Sequence, residues 1–102
     1  MILVYTVVGS ADEAEKLAEL LVEERLVACV NYFPVSSIYR WKGKVRHDAE
    51  FVLICKTISK NFGAVEKRIL EEHSYECPAV FSIPVSECSG SYLRWLEDSL
   101  KK

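Results

Sequence analysis

No Cys-x-x-Cys pair, no glycine-rich phosphate loop and no excess of basic residues occur in this sequence, and each absence removes a class of function. The four glycines, Gly9, Gly43, Gly63 and Gly90, are scattered, so neither a GxGxxG dinucleotide turn nor a P-loop can be assembled. A formal charge of −2 and a pI near 5.7 withhold the uniformly basic surface of a nucleic-acid binder, and no nucleic-acid partner is expected. The four cysteines, Cys29, Cys55, Cys77 and Cys88, are too widely and unevenly spaced for a secreted disulfide framework. Reduced thiols of a cytoplasmic protein are expected, with Cys29 and Cys55 as core residues within strands. Only two histidines are present, and neither adjoins a nucleophile elbow or a Cys-His signature, so the chain does not read as an enzyme. Residues 1–8 lack the positive start and cleavage site of a signal peptide and are too few to cross a bilayer. They are expected to form a strand, with no membrane partner.

What is present is a hydrophobic pattern sufficient for one domain spanning 1–102, half of whose residues are hydrophobic. An apolar, β-branched run over 2–8 ends at Gly9. Ser10-Ala11-Asp12-Glu13 then matches a capping box, so a helix starts at about Ala11. Ala14, Leu17, Ala18, Leu21 and Val22 recur at helical spacing, and the carboxylates between them read as a solvated face rather than a metal site. Strand character returns over 28–33, is interrupted by Pro34 and resumes over 36–41, reading as one long strand bent or bulged near the proline. Lys42-Gly43-Lys44 supplies a turn, and 45–56 completes a hairpin whose length exceeds a compact core. Its edges, carrying Tyr39 and Trp41, call for another chain. A second helix is predicted from Ser59 or Asn61 to His73, a strand over 79–85 with Pro84 near its end, and a short C-terminal helix from Ser91. The order strand, helix, strand, strand, helix, strand predicts an α+β fold. It has a ferredoxin-like antiparallel sheet with two helices on one face, a long β-hairpin arm and a short C-terminal helix. The other face of the sheet lacks a covering layer, which points to an oligomer.

The chemistry-bearing residues gather in His73-Ser74-Tyr75-Glu76-Cys77-Pro78, at a helix-to-strand junction. His73 and Cys77 are suitable ligands for zinc or copper, although a closed site needs three or four donors. In the last turn of a helix, His73 would equally serve to complement the helix dipole. Tyr39, Trp41, Tyr75, Tyr92 and Trp95 are candidates for subunit packing or a pocket wall. His47 and Asp48 read as exposed turn residues. Lys56 reads as a strand exit, or as an ion-pair partner of Glu50 or Glu76 closing a cleft.

Taken together, Ala28-Cys29-Val30-Asn31, Tyr39-Arg40-Trp41-Lys42-Gly43, Glu50, Lys56-Thr57, His73-x-Tyr75-Glu76-x-Pro78 and Tyr92-Leu93-x-Trp95 resemble the CutA family of divalent-cation tolerance proteins over essentially the whole chain. The resemblance implies a homotrimer whose hairpin arms complete sheets between subunits, similar in architecture to the PII signalling trimers. It also implies copper(II) or another divalent metal ion as ligand. His73 matches the family's histidine and carries over as a metal ligand. Cys77 stands where the family is usually apolar and adds a thiol of this chain's own, Ser74 replaces the usual proline, and Val8 lies where some relatives carry a cysteine. The alternative reading is a PII-like signalling or scaffold trimer. There Trp41, Tyr75 and Lys56, with Tyr39, Glu76 and Trp95 about the cleft or interface, bind a small organic anion or a partner protein.

Overall fold

The computed structural model describes residues 1–102. Its elements are β1 (Ile2–Val8), α1 (Ala11–Glu23), β2 (Cys29–Trp41), β3 (Lys44–Thr57), a 3-10 turn (Ser59–Asn61), α2 (Phe62–Glu72), β4 (Val80–Pro84) and α3 (Gly90–Leu100). The sheet is antiparallel in the order β2-β3-β1-β4, which is the ferredoxin-like arrangement that the element order predicts. No helix is long and apolar enough to cross a membrane.

Alternation along β1 sets the layers. Ile2, Val4, Thr6 and Val8 are buried, as a strand with one face on the core requires, and they pack with Ala14, Leu17, Ala18 and Leu21 of α1 and Val65 and Ile69 of α2. Leu53 and Cys55 continue this face on β3, and burial pushes the Cys55 thiol up to about 12. Cys29 is less enclosed than expected: it pairs with Lys56 on the opposite face and is half-buried. On α2 the core contact is made by Val65 and Ile69, while Leu70 is exposed.

Both ends of α1 are satisfied locally. Ser10 Oγ accepts the Glu13 amide at 3.2 Å, which is the first half of the capping box. The Glu13 carboxylate does not return the bond; it accepts the Ser74 hydroxyl at 3.0 Å, tying the helix start to the junction after α2. At the other end Arg25 adopts φ 58°, and the Leu26 and Arg25 amides reach back to the Leu21 and Val22 carbonyls at 3.1 and 3.0 Å. That is a Schellman closure with arginine where glycine is usual. The Arg25 guanidinium donates to the Ser99 carbonyl at 3.2 Å, near the end of α3.

The hairpin is continuous from Cys29–Lys56 to Trp41–Lys44. Pro34 does not interrupt it, because β2 is an edge strand and the missing amide faces away from any ladder. Lys42 and Gly43 turn the chain with φ 49° and 80°, the left-handed pair that a two-residue hairpin needs. The arm stretches the molecule to 45 × 25 × 21 Å. Leu3, Tyr5, Phe33, Phe81 and Ile83 share the face away from α1 and α2, with Tyr5 and Phe81 stacked at 4.7 Å. α3 packs against β3, buries Leu96 and places Tyr92 beneath the Lys56 ammonium, so this face is covered at one end rather than bare throughout as the sequence implied.

Thr6 is fully buried, and its hydroxyl has no hydrogen-bond partner. Thr6→Val keeps the shape and removes an unsatisfied group, so it is expected to stabilise the fold by about 1 kcal/mol. A lower urea midpoint for Thr6→Val than for the unsubstituted protein would overturn this reading.

Candidate functional site

α2 stops at Glu72, and His73 is its C-cap with extended backbone at φ −79°, ψ 139°. The expected position in the last helical turn is therefore corrected. The bend carries the imidazole back over the end of the sheet, where Nε2 lies 2.7 Å from the Val7 carbonyl. Its other nitrogen, Nδ1, accepts the Tyr75 amide at 3.1 Å. Because Nδ1 accepts, the proton sits on Nε2 and is donated to Val7, so both nitrogens of a neutral ring are used within the chain. The Tyr75 ring packs against the imidazole at 4.8 Å.

From this anchor the Tyr75 hydroxyl donates to Glu50 Oε2 at 2.6 Å. Glu50 is 7% exposed on β3, and desolvation together with this bond raises the Tyr75 phenol above its ordinary value. A second phenol behaves alike: Tyr39 donates to Asp48, and that hydrogen bond is the main cause of its raised pKa. Between the arm and the 74–79 connection lies a cleft of about 590 Å³, lined by Tyr39, Trp41, Arg46, Asp48, Glu50 and Tyr75, with Glu76, Cys77, Ser74, Ser37, Val7 and Ala79 closing it.

Five residues singled out in the sequence, Tyr39, Trp41, Tyr75, Glu76 and Cys77, thus meet at one cleft. His73 does not join them. It lines a smaller cleft of about 300 Å³ with Glu13, Lys16 and Glu72, beside Val8, Leu17 and Leu20. The two expected metal donors, His73 and Cys77, therefore belong to different clefts, and no three His, Cys, Asp or Glu side chains converge to hold an ion. Lys56 is six residues from Glu50, about 20 Å along an extended strand. It lies over the Tyr92 ring at 5.6 Å and pairs with neither Glu50 nor Glu76. Trp95 packs beside Tyr92 on α3, away from both clefts.

Arg46, Asp48 and Glu50 were not singled out together, and Asp48 is corrected from an exposed turn residue to a half-buried strand residue. The signal was available. Positions 46, 48 and 50 alternate on β3, and Tyr39 is the register partner of Arg46, so one face of the arm collects all of them.

The family described as CutA1 divalent ion tolerance protein matches residues 2–99. The divalent-cation tolerance protein CutA of Pyrococcus horikoshii is 38% identical over 102 residues, covering 100% of both chains. A chloroplastic protein CutA of Arabidopsis thaliana is 38% identical over 101 residues, covering 98% of this chain and 56% of its own length. Among solved structures, the periplasmic divalent cation tolerance protein CutA from Archaeoglobus fulgidus superposes with a TM-score of 0.96 at 35% identity, covering 99% of this chain and 100% of that one.

The folded chain keeps the Tyr39 and Tyr75 protons to higher pH than an unfolded chain does. Any stability that these bonds lend is fully present below the ordinary phenol value of about 10 and is lost as pH rises through the elevated folded values. Spectrophotometric titration of the five tyrosines is expected to show a late-ionising fraction that shrinks in Tyr75→Phe. An unchanged profile in that variant would place Tyr75 outside the late fraction.

Proposed function

The chain belongs to the CutA1 divalent ion tolerance family, and from that premise we propose that it acts as a homotrimer binding a divalent cation, copper(II) foremost, with His73 as principal donor. The observation that carries the metal assignment is the smaller cleft, where the imidazole shares its walls with the carboxylates of Glu13 and Glu72. Imidazole with carboxylate suits copper, zinc and nickel. Each of these groups has a present partner: Glu13 holds Ser74, Glu72 holds Arg68 at 3.0 Å, and His73 holds Val7 and Tyr75. Coordination would therefore require an exchange of partners, and Cys77, facing the other cleft, would enter the donor set only across a subunit boundary.

Assembly is supported by the arm and by the sheet face beside it. Phe33, Ile38, Val45, Phe81 and Ile83 are exposed, an arrangement that a lone domain pays for and a second chain relieves. The same surface supports the alternative of a PII-like scaffold, whose partner would be a protein. An organic anion is less well served, because Lys56 is held at Tyr92 and Arg46 is the one cationic residue among those that line the large cleft. The protein is read as a binding protein, not an enzyme, and as cytoplasmic on the support of four free thiols.

Calorimetric titration with copper(II) and with zinc(II) is expected to show binding that weakens by at least about tenfold in His73→Ala. Equal affinity in the two proteins would remove His73 from the site, and no binding to either would favour the scaffold role. Trp41→Ala is expected to shift the trimer toward smaller species in sedimentation velocity at low protein concentration. A trimer of unchanged resistance to dilution would take the arm out of the interface.

A further inference from the structure

The large cleft is built differently from a metal site. Its carboxylates, Asp48, Glu50 and Glu76, outnumber its one guanidinium, Arg46, so its field favours a cation. Like the donors of the smaller cleft they do not converge as a coordination shell, so what distinguishes this cleft is the aromatic wall beside the carboxylates. Three aromatic rings, Tyr39, Trp41 and Tyr75, stand among them, and an aromatic face attracts a weakly hydrated cation held against it. Trp41 already carries one such contact, with the Lys42 ammonium 5.8 Å from its ring.

The walls are also fixed in advance. Tyr39 is held by Asp48 and Tyr75 by Glu50, so both hydroxyl donors are spent on carboxylates and the rings are oriented before any ligand arrives. Glu50 Oε2 takes the Tyr75 bond, while Oε1 accepts no hydrogen bond from the chain and stays open to the surface, although the residue as a whole is more than nine-tenths buried. A buried carboxylate with an oxygen to spare, beside aromatic walls, matches the needs of a positively charged nitrogen on an apolar body. At about 590 Å³ the cleft has the size of a small-molecule site, which commonly spans about 300–1,000 Å³.

We infer that the cleft between the hairpin arm and the 74–79 connection binds a small organic ammonium ion, with Glu50 and Asp48 as counter-charges and Trp41, Tyr39 and Tyr75 as walls. This site is separate from the His73 cleft and does not rest on divalent-cation binding. A carboxylate-bearing ligand is rejected by the acidic walls, and a neutral one lacks the charge that the walls are placed to meet.

Of the two tryptophans, Trp95 lies outside the cleft, so Trp95→Phe leaves Trp41 as the sole indole reporter. Titration of that protein with benzyltrimethylammonium is expected to give a saturable change in Trp41 emission. Benzoate and benzyl alcohol, of similar size, are expected to give none over the same range. Glu50→Gln, which keeps an acceptor for Tyr75, and Asp48→Asn, which keeps one for Tyr39, are each expected to weaken ammonium binding about tenfold. Asp48 lies on the arm, so its substitution provides the test even if the buried Glu50 variant folds poorly. No saturation with benzyltrimethylammonium, equal response to benzoate or benzyl alcohol, or an unchanged dissociation constant in a folded Asp48→Asn protein would overturn the assignment.

Discussion

The Val7 carbonyl is the constraint on which the end of the molecule that carries both clefts depends. β4 pairs with β1 only as far as Thr6 with Val80, and beyond that last pair the acceptor on Val7 is met by the His73 imidazole instead of another strand. A carbonyl at a sheet margin requires a partner, and a ring two atoms deep can supply one where a strand has ended. Meeting it forces the chain out of helical geometry immediately after Glu72 and presents Nδ1 to the Tyr75 amide. Tyr75 is thereby set over Glu50, and Ser74 over Glu13, so β1, β3, α1 and the 74–79 connection are tied through one side chain and its neighbours.

Two surfaces with different physical demands follow from the same sheet. On the side of α1 and α2, strict alternation buries one residue in two, and the core is closed within the chain. On the other side the hairpin runs out beyond the body, and α3 reaches only the end around Lys56 and Leu96. The uncovered stretch carries aromatic and branched residues next to the acid-rich cleft, so apolar area available for association and charge available for a ligand lie side by side. An arm that is recruited into a neighbouring sheet would fix Tyr39 and Trp41 further and sharpen the cleft that they line.

Much of this was legible from residue patterns. Period-two burial in β1, the Ser10 cap, the two-residue turn at Lys42-Gly43 and the order of elements are local or near-local properties, and they fix the ferredoxin-like sheet and its long arm. The gathering of Tyr39, Trp41, Tyr75, Glu76 and Cys77 was also accessible, since it follows from the hairpin register and from the junction's return to the sheet. The partition of His73 from Cys77 was not. They are four positions apart in sequence, but the cleft that each faces is decided by the Val7 contact, in which His73 meets a residue 66 positions away. Lys56 illustrates the same limit: its strand register was readable, yet its distance from Glu50 and its seat on Tyr92 depend on where α3 docks.

His73 cannot serve as strand-end donor and as metal ligand through the same nitrogen at once. A cation at Nε2 would displace the proton and leave the Val7 carbonyl without its partner; a cation at Nδ1 would release the Tyr75 amide. Either exchange forfeits a hydrogen bond whose net worth is typically about 0.5–1.5 kcal/mol, up to roughly tenfold in affinity. The Nδ1 route has the wider consequence, because the residue it frees is the one whose hydroxyl is bonded to Glu50 at the large cleft. Ligand binding that holds Tyr75 against Glu50 would then oppose metal capture at Nδ1, and metal capture would oppose that ligand by the same factor, since coupling between two sites is reciprocal. The Nε2 route leaves Tyr75 in place and uncouples the two clefts. Which nitrogen a cation would take therefore sets whether the smaller cleft would act alone or communicate, through a single tyrosine, with the larger one.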